Sequence, residues 1–226
     1  MYGFCQTFAQ LLCLSVVSLC AAGCLSGPPQ FDIELLPHLH PSPQANMQYA
    51  SLTDGATFST EATSKAQNDR DTIRRQDGLG RYRIERFSQA RGVELIERGW
   101  AGGVVLRYAR PVLLVPATMK PGETHRAEAA YDRIVAGDVV ARGRDRYEVT
   151  FEGTEDVQVP AGPFAGTVRL RTELTRTEAG TESTYTITEL YAFGVGLVAA
   201  RGQQAGADGD AKPVSVALVG IQPASE

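Results

Sequence analysis

Cysteine stops at position 24. The four cysteines are Cys5, Cys13, Cys20 and Cys24, and none follows. The rest of the chain therefore has no disulfide, no thiolate nucleophile and no thiolate metal site, and a packed core must hold it together. The first 31 residues contain no Asp, Glu, Lys or Arg. Lysine occurs only at positions 65, 120 and 212, so the basic charge is almost all arginine. Tryptophan occurs once, as Trp100, and histidine three times, as His38, His40 and His125. His-Glu-x-x-His and Gly-x-Ser-x-Gly are both missing, which removes two recognisable hydrolase signatures. A net charge of -4 removes the simplest case for a nucleic-acid partner. With 43% hydrophobic and 21% charged residues, the chain is neither membrane-saturated nor disordered. Its 226 residues permit one ordinary domain or two very small ones.

The chain opens with Phe8 to Leu19, nearly continuously apolar. That is signal-peptide length and short for a membrane span. It ends in Leu19-Cys20-Ala21-Ala22-Gly23-Cys24. Small residues before a cysteine suit a peptidase that needs an extended, uncluttered segment. The arrangement resembles a bacterial lipoprotein signal, with Ala21 to Cys24 as its last four positions. Two departures are the lack of a basic residue before the apolar run and Ala21 where Leu is usual. The resemblance implies a signal peptide over residues 1–23 and Cys24 as the acylated, palmitate-bearing first residue. The membrane partner would then be reached through a lipid anchor. A plain secretory signal or an uncleaved anchor also fits these residues. Leu25, not Asp, follows Cys24. By resemblance to the sorting pattern of some diderm bacteria, that implies the outer membrane, facing the periplasm. Residues 24–47 hold Pro28, Pro29, Pro37, Pro41 and Pro43, a poor helix or strand that reads as a tether.

Residues 48–221 read as one β domain. Tyr147, Val149 and Phe151 alternate with Arg146, Glu148 and Thr150. Phe164, Val168, Leu170 and Leu174 share one face, while Arg169 and Arg171 share the other. Tyr185, Ile187 and Tyr191 continue the apolar face. Period two with one polar face is a half-buried antiparallel strand. Turn signals such as Ala101-Gly102-Gly103, Ala136-Gly137 and Ala179-Gly180 separate about ten to twelve such runs. Residues 62–76 fit either a polar helix or a hairpin. Gly202 to Asp210 reads as a mobile loop before a last strand.

Two stretches resemble the DUF3108-like and TapB-like exported proteins. One is Tyr108 to Pro116 followed by Met119-Lys120-Pro121-Gly122-Glu123; the other is Glu155 to Phe164 with Tyr191 to Val198. Pro163 and Phe193 depart from the pattern of that family. The resemblance covers Tyr49 to about Arg201. It implies an all-β fold: a single curved antiparallel sheet, open-barrel or shell-like, after the signal segment and proline-rich tether. It implies no reaction. In its own chemistry, Pro160-Ala161-Gly162-Pro163 is a tight turn in which Gly162 can take positive φ.

Catalytic chemistry has little support. His38 and His40 lie in the tether, where a metal site with Glu34 would lack fixed geometry. A triad would have to use His125, with no local serine signal. Glu155-Asp156 and the Glu94/Glu97 pair read as solvated acids. Arg70, Arg74, Arg75, Arg81, Arg83 and Arg86 are dense, and read as a solvated face balanced by Asp69, Asp71, Asp77 and Glu85. Those arginines also fit phospholipid head groups or an acidic cell-wall polymer. The expectation is a non-catalytic envelope lipoprotein without cofactor or metal. It would carry a lipid or other apolar ligand on a face formed by Phe164, Val168, Leu170, Leu174, Tyr185, Ile187 and Tyr191. The alternatives are docking of an envelope protein and hydrolysis.

Overall fold

A computed structural model of the chain describes residues 32–40, 45–52, 55–67, 70–77 and 80–223. The expected signal peptide, Cys24 and residues 25–31 and 41–44 lie outside them. Among the described residues, fourteen strands and one helical turn follow in order: β1 (Ile33–Glu34), α1 (Leu36–Leu39), β2 (Ala45–Ser51), β3 (Thr57–Gln67), β4 (Arg70–Asp77), β5 (Tyr82–Ser88) and β6 (Gly92–Trp100). Then come β7 (Val104–Pro116), β8 (Thr118–Met119), β9 (Thr124–Val135), β10 (Asp138–Val159), β11 (Gly162–Glu178), β12 (Thr181–Ala192), β13 (Gly196–Ala205) and β14 (Ala211–Pro223).

Alternation places β10 to β12 as the sequence suggests. Tyr147, Val149, Phe151, Val168, Leu170 and Leu174 are all buried. Arg169 points out and reaches Glu152 at 2.8 Å. Thr167 breaks the pattern: it is buried and donates to the Glu155 carbonyl at 2.5 Å. Register shifts on either side of the β10 segment opposite it change the local twist. Two hairpins turn on Ala136-Gly137 and Ala179-Gly180, with both central residues of each at positive φ. That backbone matches the twist of the flanking strands. The 62–76 stretch is the β3–β4 hairpin. Gly202 to Ala205, expected in a loop, instead extend β13, and Gly202 pairs with Ile187.

The sheet does not stay an open barrel or shell. It closes. The order is β2-β3-β4-β5-β6-β7-β9-β10-β11-β12-β13-β14, and β14 pairs back onto β2 from Val216↔Ser51 to Pro223↔Ala45. Each strand is rotated relative to the last in the same sense, and twelve strands bring the two edges together. Closure satisfies backbone groups that an open edge would leave unpaired. One joint is short: β7 pairs β9 only over Val104–Tyr108. Beyond it, the His125 ring bonds the Leu113 carbonyl at 3.0 Å, which ties β9 to β7 without a ladder.

Residues 32–40 fall inside the expected tether, yet they pack on the barrel. β1 pairs with β8, Leu35 N–H donates to the Ala117 carbonyl at 2.9 Å, and Gly194 N–H donates to the Pro37 carbonyl at 2.9 Å. Leu35 and Leu39 are buried in the main core. Pro37 sits in the first turn of α1, where its missing N–H has no partner to lose. The segment caps the barrel end that holds the β5–β6 and β12–β13 turns.

Outside, β9 and β10 carry cross-strand ion pairs: Arg126–Glu148 at 3.2 Å, Arg142–Asp132 at 3.2 Å and Arg144–Glu128 at 2.6 Å. A membrane-spanning barrel shows an apolar outer band; the outer face of β9 and β10 carries these charges instead. No helix among the described residues is long and apolar enough to cross a membrane.

The two faces of β11 can be told apart by substitution. Leu170→Ala is expected to lower stability by about 2–5 kcal/mol through lost transfer energy and a cavity. Arg169→Ala should change it by less than about 0.5 kcal/mol. Denaturant melts compare them, and equal losses would contradict the assignment of faces.

Candidate functional site

The barrel interior is more polar than its aliphatic strands suggest. One network is closed on itself. Asp145 on β10 stands opposite Arg176 on β11. Arg176 donates to both carboxylate oxygens, at 2.8 and 2.7 Å. The Tyr108 and Tyr147 hydroxyls donate to Asp145 Oδ2 at 2.8 and 3.2 Å. Asp145 is 0% exposed, and these donors are what make an ionised carboxylate tolerable there. Burial pushes the Tyr147 hydroxyl up to about 12 and that of Tyr108 well above its ordinary value.

The second network is not closed. Glu85 on β5 is 3% exposed and lies 3.0 Å from Arg75 Nε and 3.5 Å from Arg83 Nε. The Arg75 contact lacks hydrogen-bond alignment. Burial alone would raise the Glu85 carboxyl; the fields of Arg75, Arg83 and Arg98 outweigh it and hold the group below its ordinary value. Arg75 also donates to the Leu39 carbonyl at 3.1 Å, so the capping segment and the lumen share an arginine. Burial carries the Tyr191 hydroxyl above its usual range, and Glu189 raises it further.

Between these side chains lies a cavity of about 260 Å³. Its wall runs from Leu39 in the cap, past Leu170 and Ile187, to Tyr82 and Trp100 beside the opposite turns.

The seven residues expected on an apolar face divide three ways. Leu170, Ile187 and Tyr191 line the cavity. Val168, Leu174 and Tyr185 are buried in the surrounding core, and the Tyr185 hydroxyl donates to the Gly209 carbonyl. Phe164 packs in a second cluster with Met47, Tyr49 and Val159, and the turn of the β10–β11 hairpin bonds to Leu218 through the Ala161 N–H.

Arg75, Arg83 and Glu85, expected on a solvated face, point inward. The signal was present: Arg75 is two residues from Ile73, and Glu85 is two from Phe87, both buried. Strand parity then puts each charge on the inner face. The two tether histidines have fixed places. The His38 ring meets Phe193 edge-on at 5.5 Å, and His40 Nε2 is 3.3 Å from Asp71. Among the described residues no three His, Cys, Asp or Glu side chains converge to hold a metal.

Comparison with known proteins gives the fold. No family model and no curated protein matches the chain. A Bacteroides fragilis protein described as exported, with a YmcC-like fold, superposes with a TM-score of 0.51 at 14% identity, covering 82% of this chain and 98% of its own. A lipoprotein of Parabacteroides distasonis gives 0.44 at 10% identity, covering 82% and 98%. The Escherichia coli K12 lipoprotein YmcC gives 0.44 at 11% identity, covering 80% and 86%. The first likeness shows a shared fold and no shared activity.

Removing the charge at Glu85 tests the inner network. Glu85→Gln leaves Arg75 and the part-exposed Arg83 without their counter-ion and should cost up to about 3 kcal/mol at neutral pH, the low end for a buried pair. The wild-type carboxyl titrates below its unfolded value, so its contribution is complete above the unfolded value and is lost as pH falls through the folded one. Acid melts of the variant should lack that part of the pH dependence. An unchanged acid profile would mean that Glu85 is not held by the arginines.

Proposed function

We propose that this protein is a non-catalytic, lipid-anchored module of the bacterial cell envelope that carries one small ligand with an apolar body inside its barrel. The observation that carries the reading is the lumen itself. A cavity of about 260 Å³ remains after the barrel has closed, and Leu170, Ile187, Phe58 and Leu39 give it apolar walls. Transferring apolar ligand surface into it is favourable by about 25 cal/mol per Å², and a preformed wall keeps the ordering cost of binding low. The volume suits a single short acyl chain better than a whole phospholipid.

Export and anchoring rest on the residue pattern ending in Cys24, and the Bacteroides fragilis fold relative, described as exported, supports the first of these. The finer relation to the DUF3108-like and TapB-like proteins rests on the quoted motifs alone. From Cys24 to Asp32 the chain reaches at most about 28 Å. The capped end of the barrel would then lie close to the bilayer, with the far end turned toward the periplasm if the anchor sits in the outer membrane. Docking through a strand edge has less support, since β14 and β2 occupy each other's edges. Hydrolysis has less too, since the His125 ring is engaged by the Leu113 carbonyl.

Two measurements check this reading. Cys24→Ser should abolish metabolic palmitate labelling and release the chain from the membrane pellet, or leave it as an uncleaved precursor; unchanged labelling would end the lipid-anchor reading. A fluorescent fatty-acid probe should bind the wild-type protein saturably, with one site per chain. Ile187→Trp should weaken the probe by filling the lumen while thermal unfolding changes little. Probe binding that ignores Ile187→Trp would place the ligand elsewhere.

A further inference from the structure

Three arginines stand side by side on the inner wall. In register, Arg75 on β4 is opposite Arg83 on β5, and Arg83 is opposite Arg98 on β6. Like charges directly opposite across a ladder repel. All three line the cavity. Glu85 contacts Arg75 and Arg83. Glu189, also on the wall, adds a second negative charge that acts on Arg83. The other enclosed acids are taken: Asp77 by Arg81 at 2.6 Å, Asp145 by Arg176, and Glu94, expected to be solvated but 2% exposed, by Arg86 and Arg91. Two carboxylates against three guanidinium groups leave one positive charge over.

Arg98 carries that charge. It acts on Glu85 through its field, but its Nε is buried without a hydrogen-bond partner. Its guanidinium carbon lies 5.6 Å from the centre of the Tyr147 ring. An aromatic face attracts a cation without neutralising it, and a buried donor left unpaired is costly.

We propose that the lumen takes an amphiphile with a single acidic head group, its anionic oxygens seated on Arg98 and its tail along Leu170, Ile187 and Phe58. This rests on the reading of the lumen as a ligand site. A carboxylate matches the guanidinium fork and forms a charge-assisted bond there.

Trp100, the single tryptophan, lies two residues from Arg98 and lines the same cavity. Heavy-atom quenching of its fluorescence therefore reports occupancy at the site. The full chain in phosphatidylcholine nanodiscs is titrated with 8-bromooctanoate and with 8-bromo-1-octanol. The acid should quench at a concentration about 10-fold below the alcohol, a difference of about 1.4 kcal/mol. Arg98→Gln should erase that preference and leave the alcohol unchanged, while Arg98→Lys should retain part of it. Circular dichroism checks that the variants are folded; if Arg98→Gln is not, the comparison of Arg98→Lys with wild type decides. Equal quenching by acid and alcohol in the wild type, or a full acid preference in a folded Arg98→Gln or an undiminished one in Arg98→Lys, overturns the acidic-head proposal and leaves the lumen site standing. Quenching by neither probe overturns the lumen reading itself.

Discussion

A closed barrel of twelve strands has more interior than aliphatic side chains can fill. Eight strands give a lumen that side chains just occupy, and the diameter grows with strand number. Much of what is unusual here answers to that width. Long residues project inward: Tyr108, Tyr131, Tyr147, Tyr185 and Tyr191 from the walls, with Arg75, Arg83 and Arg176 between them. The N-terminal segment adds Leu35 and Leu39 at one end. Even so, a void remains at the centre. Long side chains with polar tips fill such a space only if their tips are paired, so width leads directly to buried polar networks.

The two networks differ in completeness. Asp145 accepts two bonds from Arg176 and bonds from two tyrosines, and none of its partners lacks a role. The arginine row on β4 to β6 is different, because its carboxylates are fewer than its cations and its charges face the void. The two networks also differ in exposure: Arg176 and Asp145 are 7% and 0% exposed, against 11% for Arg75 and 30% for Arg83.

Local pattern made the β10, β11 and β12 strands legible, because their inner faces are mostly apolar and their outer faces polar. The same rule failed on β4 and β5, where Arg75, Arg83 and Glu85 occupy inner positions and make both faces look solvated. Burial of charge depends on partners that lie on other strands, and no local window contains them. Closure was hidden for a related reason. Nothing within β2 or β14 distinguishes the edge of a curved sheet from a seam. Pro37 misled in another way: proline density argued against structure over residues 24–47, yet a first-turn proline is compatible with α1. Of the candidate ligand face, Leu170, Ile187 and Tyr191 were readable from parity. Phe164 shares that parity but sits beyond two register shifts that separate it from the lumen.

The seam between β2 and β14 joins the first barrel strand to the last. Every other neighbour in the barrel is close in sequence, so eleven of the twelve ladders can form as local hairpins or short crossings while the chain is still emerging. The twelfth waits for residues 211–223 and closes a loop spanning nearly the whole domain. Loop-closure entropy falls late and all at once. Removing β14 would strip the ladder partner from both β13 and β2, so the closed interior depends on its last strand.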